Sequence, residues 1–207
     1  MPPPGEHLDG FNFVPIRSLS DRHKPRMLAH LLALDVSDRY LRFGYAASDD
    51  QIQRYVDQIE FGLDEVFGIF NRRLVLIALA HLAYDPAGRP PGGANAEFGV
   101  SVAAHARDRG YGTRLFEHAV LRGRTRGVDS LIIHALTENA AMLAIVRAAG
   151  AVVEVDGGES EARLRLPPED AASRTQACLK QHLGELDYQF KLGTRLSMDA
   201  TPRPEAS

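Results

Sequence analysis

A mixed α/β fold is predicted by three features of the sequence: an antiparallel hairpin near its middle, a glycine loop between a strand and a helix, and a strand–helix–strand continuation that needs a parallel crossover. The hairpin is read from two β-prone runs, 65–71 and 74–84, joined by a tight polar link at Arg72 and Arg73. Residues 85–95 hold three prolines and three glycines and read as a long surface loop before a strand at 96–103. After the glycine-bearing segment, a helix over 113–126 carries Leu115, Phe116, Ala119 and Val120 on one face and ends at Gly127. Residues 130–136 form the next strand. A helix over 139–149 turns Met142, Leu143, Val146 and Ala149 inward, with Gly150 at its end, and strands at 151–155 and 162–166 close the series. Strand, glycine loop, helix, strand, helix, strand within so short a span cannot be closed by hairpins alone.

Ahead of the hairpin, a short strand is expected at 14–19, then a helix from Ser20 bearing Met27, Leu28, Leu31 and Leu32, and a second helix after Ser37. The clearest N-terminal helix covers 48–59. The Ser48 hydroxyl can cap it while Gln51 reaches back, and Ile52, Tyr55, Val56 and Ile59 form one apolar stripe.

The chain has 207 residues, 44% of them hydrophobic, enough to bury one good core with extensions to spare. The expected organisation is a mobile tail over 1–12, one domain over 13–168, a C-terminal extension helix over 169–192 and a mobile tail over 193–207. The extension carries Leu179, Leu183, Leu186 and Phe190 at helical spacing. That stripe packs back on its own domain or docks on a second copy, so a homodimer is one of its two expected uses.

A net charge of −3 gives no basic field for nucleic acid or an anionic membrane, so neither is an expected partner. The N-terminus lacks a basic start and an apolar run, the single Cys178 asks for no oxidising compartment, and a cytoplasmic location is expected by default. Eight histidines are scattered without paired spacing, so no metal is expected.

The chemistry is expected at Arg107-Asp108-Arg109-Gly110-Tyr111-Gly112-Thr113, between a strand and a helix. Glycine there accepts positive φ and lets a ligand approach the backbone. First-turn amides lack internal partners and sit at the positive end of the helix dipole, so a pyrophosphate can satisfy several at once, with Arg107 and Arg109 adding charge. A dinucleotide fingerprint would need a third glycine where Leu115 stands, and no phosphate-loop Gly-Lys-Ser/Thr occurs. The alternative is a plain strand-to-helix turn.

The spacing Arg-x-x-Gly-x-Gly at 107–112, preceded by Ala96-Glu97-Phe98-Gly99-Val100-Ser101-Val102 and followed by Asn139 opening a helix, resembles the GCN5-related N-acetyltransferase (GNAT) family. The resemblance spans about 65–166 and is weaker for the N-terminal helices. It implies the acyl-CoA N-acyltransferase fold: a mainly antiparallel central sheet with two splayed parallel strands, here 96–103 and 130–136, and flanking helices. It implies acetyl-CoA as co-substrate and a primary amine of a small molecule or protein as acceptor. By the same resemblance, backbone groups near Val102 and Ala103 pair with pantetheine and amides from Arg107 to Thr113 hold the pyrophosphate. Asn139, which can equally be a helix cap, faces the arm.

Glu97 is the candidate base, by likeness to the carboxylate several family members place on this strand; a strand glutamate facing solvent or an arginine is the other reading. A backbone amide near Val100 to Val102 could stabilise the thioester oxygen. Many family members carry a tyrosine in the helix after the asparagine, whereas Met142 to Arg147 has none. That departure keeps open a second reading, a catalytically weak acyl-CoA-binding sensor; a third, transfer to an alcohol or of a longer acyl chain, stays open because the glycine loop reads the CoA phosphates and says nothing about the acyl group. His134 and His105 are available proton carriers but read more readily as a packing residue and a surface residue. Arg39, Tyr40, Arg42 and Tyr45 could line a pocket for an acidic or aromatic amine, or be solvated charges and core aromatics.

Overall fold

The computed structural model describes residues 14–85 and 94–168; the expected tails, the extension helix with its dimer role, and most of the loop before residue 95 lie outside them. The described residues build one sheet of seven strands, β1 (Arg17–Ser18), β2 (Glu65–Phe70), β3 (Leu76–Tyr84), β4 (Asn95–Val102), β5 (Ser130–Leu136), β6 (Val152–Asp156) and β7 (Glu159–Arg165), in the order β1-β2-β3-β4-β5-β7-β6. Only β4 and β5 run parallel; every other neighbouring pair is antiparallel. The mixed α/β class and the central hairpin follow the sequence expectation.

Among the described residues five α-helices flank the sheet: α1 (Lys24–Leu32), α2 (Val36–Phe43), α3 (Asp49–Gln58), α4 (Tyr111–Thr125) and α5 (Ala140–Ala148). Alternation in the strands divides the core. Phe67, Ala80, Leu82, Phe98, Leu131 and Ile133 pack with Leu115 and Phe116 of α4 and Leu143 and Val146 of α5 on one face, with the Phe98 and Phe116 rings edge-to-face at 5.2 Å. Val66, Leu76 and Leu79 pack on the other face against Met27, Leu31, Ile52 and Val56 of α1 and α3.

Local chemistry sets the helix starts. Ser48 and Gln51 form the reciprocal cap of α3, with Ser48 N–H donating to Gln51 Oε1 at 2.9 Å and Gln51 N–H to Ser48 Oγ at 3.3 Å. Asp35 caps α2 by accepting from Asp38 N–H at 2.7 Å, so that helix begins ahead of Ser37. α4 starts at Tyr111, two residues before its expected start, which brings Gly112 into the first turn. Ala149, expected inward, is exposed beyond the end of α5. β6 and β7 are joined through Gly157 and Gly158 alone, with Gly157 at φ 59°, so the final hairpin is tighter than the expected strand limits imply.

Two buried polar devices pin helices to the sheet. Glu65 of β2 accepts from Arg122 Nε at 2.6 Å and Nη2 at 3.0 Å and from Arg126 Nε at 2.8 Å, fastening α4. Burial alone would push the Glu65 carboxyl up, and the two arginines outweigh it and hold it below the usual carboxylate range. On the opposite face, His30 of α1 bridges Leu76 O at 3.1 Å and Ser101 Oγ at 2.9 Å, so Nδ1–H donates to the carbonyl and Nε2 accepts from the hydroxyl.

Burial pushes the His30 imidazole down from 6.5 to about 4. Above pH 6.5 it is neutral whether folded or unfolded; between 6.5 and 4 the unfolded chain takes the proton and the folded one does not. Stability is therefore complete above pH 6.5 and falls on acidification, by about 3 kcal/mol from this residue at pH 4. Urea unfolding at pH 7 and pH 4.5 should show a smaller pH difference in His30→Gln than in the wild type. His23, which burial also holds near 4, supplies part of what remains. An unchanged pH difference in the variant would refute the assignment.

Candidate functional site

β4 and β5 pair only at Asn95↔Ser130, Ala96↔Leu131 and Glu97↔Ile132, then part, although β4 runs on to Val102 and β5 to Leu136. Their outer neighbours stay in register throughout, β4 with β3 from Tyr84↔Ala96 to Ala78↔Val102 and β5 with β7 from Ser130↔Arg165 to Leu136↔Glu159. The gap is therefore a splay between two fixed half-sheets.

Hydrogen-bond alternation says which backbone groups face the gap. Asn95 O accepts from Asp85 N–H at 3.2 Å and Ala103 N–H donates to Ile77 O at 2.9 Å, so odd-numbered residues of β4 address β3. Ala94 O accepts from Asp129 N–H at 2.7 Å on the β5 side. By that parity the even-numbered residues face β5; the Glu97↔Ile132 pairing still engages Phe98 N–H, and beyond it Phe98 C=O and the N–H and C=O of Val100 and Val102 turn into the gap, where no strand meets them. The parity separates Val102 from Ala103. Val102 lines the gap, whereas Ala103 has spent its N–H on Ile77 and its carbonyl accepts from Ala106 N–H at 2.8 Å.

The gap opens into a cleft of about 1130 Å³ that reaches the glycine loop. After a 3-10 turn at Ala104–Ala106, Asp108 and Gly110 take left-handed φ values of 59° and 71°, and Gly110 starts α4 without a side-chain cap. The first bond of that helix is Arg114 N–H to Gly110 O at 3.0 Å, so the amides of Tyr111, Gly112 and Thr113 have no acceptor within the helix. Arg107, Asp108, Gly110, Tyr111, Gly112 and Thr113 line the cleft; Arg109 is exposed and does not. Arg107 is ion-paired with Asp38 of α2, so its charge is already partly neutralised. That pair joins segments remote in sequence. Asn139 lines the cleft as the cap of α5: Oδ1 accepts from Met142 N–H at 3.1 Å and Nδ2 donates to Leu41 O at 3.4 Å.

On the α1–α3 face, the cleft meets Glu97, Gly99 and Ser101 of β4. Glu97 is exposed in the cleft, at the last paired position of β4 with β5, with no hydrogen-bond or ion-pair partner among the described residues. Arg42 lies against Gly99, where an added Cβ would stand 2.6 Å from its Cζ. Arg42 Nη2 donates to Tyr55 Oη at 2.7 Å, and that hydroxyl is 2.7 Å from His81 Nδ1. His81 Nε2 sits 3.2 Å from Asp64 Oδ2, within charge attraction but off the line of a good hydrogen bond. Burial holds the His81 imidazole below its ordinary value, so it is neutral near pH 7 and accepts the Tyr55 proton.

Of the other pocket candidates, Tyr45 lines the cleft and Tyr40 does not. Arg39 is a staple between α1, α2 and α3, donating to Leu32 O at 2.7 Å, Leu34 O at 3.1 Å, Ala47 O at 3.1 Å and Asp49 Oδ1 at 2.7 Å. His134 is exposed on the cleft wall rather than packed, and His105 is exposed outside it. Sequence reasoning missed the Tyr55–His81–Asp64 chain; its one signal was a polar His81 inside the apolar run of β3.

The family model described as the acetyltransferase (GNAT) family matches residues 29–150. The structure is similar to the GNAT domain of S. lividans PAT, with TM-score 0.61 and 19% identity over 73% of this chain and 89% of that one. It is also similar to a GNAT-family acetyltransferase from Streptococcus pneumoniae, with TM-score 0.58 and 11% identity over 75% and 100% of the two chains. A third likeness is to the ribosomal-protein-alanine N-acetyltransferase from Brucella melitensis, with TM-score 0.53 and 20% identity over 73% and 99%. At these identities the likeness is one of fold. No curated protein matches.

Proposed function

Because the chain belongs to the acetyltransferase (GNAT) family, whose members use an acyl-CoA donor, we propose that it moves an acetyl group from acetyl-CoA to a primary amine by direct attack on the thioester. The observation that carries this reading is the meeting, in one cleft, of the single-sided segment of β4 with the bare amides at the head of α4. The amides of Tyr111, Gly112 and Thr113 would hold the diphosphate. The carbonyl of Phe98 and the backbone groups of Val100 and Val102 would extend the sheet onto the pantetheine arm, and the cleft is roomy enough for that arm and an acceptor together.

Glu97 would take the proton of the amine. An ordinary lysine amine is neutral in only about one molecule in 2,500 at pH 7, and a positioned base typically recovers about 10² to 10⁴ in rate. The N–H of Val100 is the preorganised donor closest along the strand to Glu97 that faces the gap, so it would receive the thioester oxygen as charge builds. α5 carries no hydroxyl side chain, so the departing thiolate, whose pKa is about 8.5, would leave to water or to a group elsewhere in the cleft.

The test is release of free CoA thiol from acetyl-CoA across a broad panel of small amines and peptide N-termini, alongside calorimetric binding. The expected result is micromolar to millimolar binding and amine-dependent release. Binding without release for any amine would favour the sensor reading, and absence of binding would end both.

A further inference from the structure

We infer that Arg42 is a carboxylate-binding subsite, so that the acceptor is a small amine bearing its own carboxylate, an amino acid or close analogue. This rests on the acyl-transfer reading of the cleft and deepens it. The α4 and α5 side of β4 is filled by Ala96 and Phe98 packing on Leu115 and Phe116. Arg42 lies on the opposite side, over Gly99, where His30 of α1 also meets Ser101. It is therefore separated by the strand from the amides assigned to the diphosphate and stands on the acceptor side.

The guanidinium is held but not neutralised. Among the described residues its one side-chain hydrogen bond goes to Tyr55 Oη, and it lies 5.1 Å from the Phe43 ring centroid and 5.4 Å from that of Tyr55. Most of its N–H donors are left over. No carboxylate lies within ion-pairing distance of it among the described residues, whereas Arg39, Arg107, Arg122, Arg126 and Arg163 each have one. A partly buried cation without a counter-ion is costly, and an anion brought by a ligand removes that cost. The arrangement is also specific: with any side chain at 99, the guanidinium could not lie on the strand. Tyr55, backed by His81, fixes its orientation and leaves its planar edge for a two-pronged contact with a carboxylate.

The distances fit an amino acid. Glu97 and Gly99 share a face of β4 two residues apart, roughly 7 Å along the strand. A carboxylate on Arg42 therefore leaves the neighbouring amine between Gly99 and Glu97, where the strands part. The far wall adds polarity: Glu154 faces Glu161 and Asp156 faces Glu159 directly across β6 and β7, all four lining the cleft. Glu161 is ion-paired with Arg163, and the remaining three carboxylates repel an acidic group and attract an ammonium, which favours one orientation of a zwitterion.

The experiment compares, with the full chain and acetyl-CoA, amino acids against their carboxamides and decarboxylated amines. The wild type should favour the carboxylate member of the best-used set by about 10- to 100-fold in kcat/KM. Arg42→Gln should remove that preference through KM for the carboxylate substrate, leaving the carboxamide rate and the acetyl-CoA affinity unchanged. Gly99→Ala, which keeps the arginine but displaces it, should do the same and guards against a folding defect in the first variant. Turnover of amines without a carboxylate preference, or equal losses on acid and amide in both variants, would overturn this inference and leave acyl transfer standing. Absence of turnover with every amine would remove both.

Discussion

Replacing Gly112 with aspartate is expected to lower the affinity for acetyl-CoA by at least about 100-fold without unfolding the protein, as read by calorimetry and thermal denaturation. The two readouts diverge for a physical reason. Within the first turn of α4 an aspartate suits the helix dipole, and replacing glycine inside a helix gains backbone entropy, so folding loses little. The new Cβ would lie 3.3 Å from Ile145 Cδ1, a contact relieved by a few tenths of an ångström of movement at a side-chain tip. The carboxylate, however, sits among the amides of Tyr111, Gly112 and Thr113, competing for them and repelling a diphosphate. Losing two charge-assisted hydrogen bonds at about 1.5 to 3 kcal/mol each accounts for a drop of about 10² to 10⁴. Gly110→Asp is the less clean variant because its φ of 71° adds backbone strain. Wild-type affinity in Gly112→Asp would end the assignment of the loop.

Why the loop was legible in the sequence while the acceptor wall was not comes down to range. The hairpin of β2 and β3, the Ser48–Gln51 cap and the glycine pair ahead of α4 are written in residues within a few positions of each other, where periodicity and turn chemistry act directly. Strand parity needs the register of β3 on β4, which apolar patterning leaves open, and so Val102 and Ala103 could not be told apart. The Arg107–Asp38 and Arg42–Gly99 contacts bring together chain segments more than fifty residues apart, through a helix α2 with no fully buried residue to announce its seat. Gly99 shows the limit best. In sequence it is a weak position in a strand, and only the guanidinium lying on it reveals why a side chain is missing.

Glu97→Gln is expected to cut the rate near pH 7 by about 10² to 10⁴ while changing acetyl-CoA affinity less than about twofold. The isosteric amide keeps the shape of the exposed side chain and removes only its ability to accept a proton. The deficit should narrow as pH rises toward the amine pKa, because solvent then supplies the neutral nucleophile that the carboxylate otherwise produces. On the acceptor side of β4, His81 is the competitor: burial keeps it neutral near pH 7. Its ring, however, stands behind Tyr55, and its other nitrogen faces Asp64, so it can reach an amine only through the Tyr55 hydroxyl. Tyr55→Phe breaks that route and also frees Arg42, so it should raise KM for the acceptor and leave the pH profile of kcat unchanged if Glu97 is the base. A wild-type pH profile in Glu97→Gln together with a shifted one in Tyr55→Phe would transfer the role to the Tyr55–His81 pair.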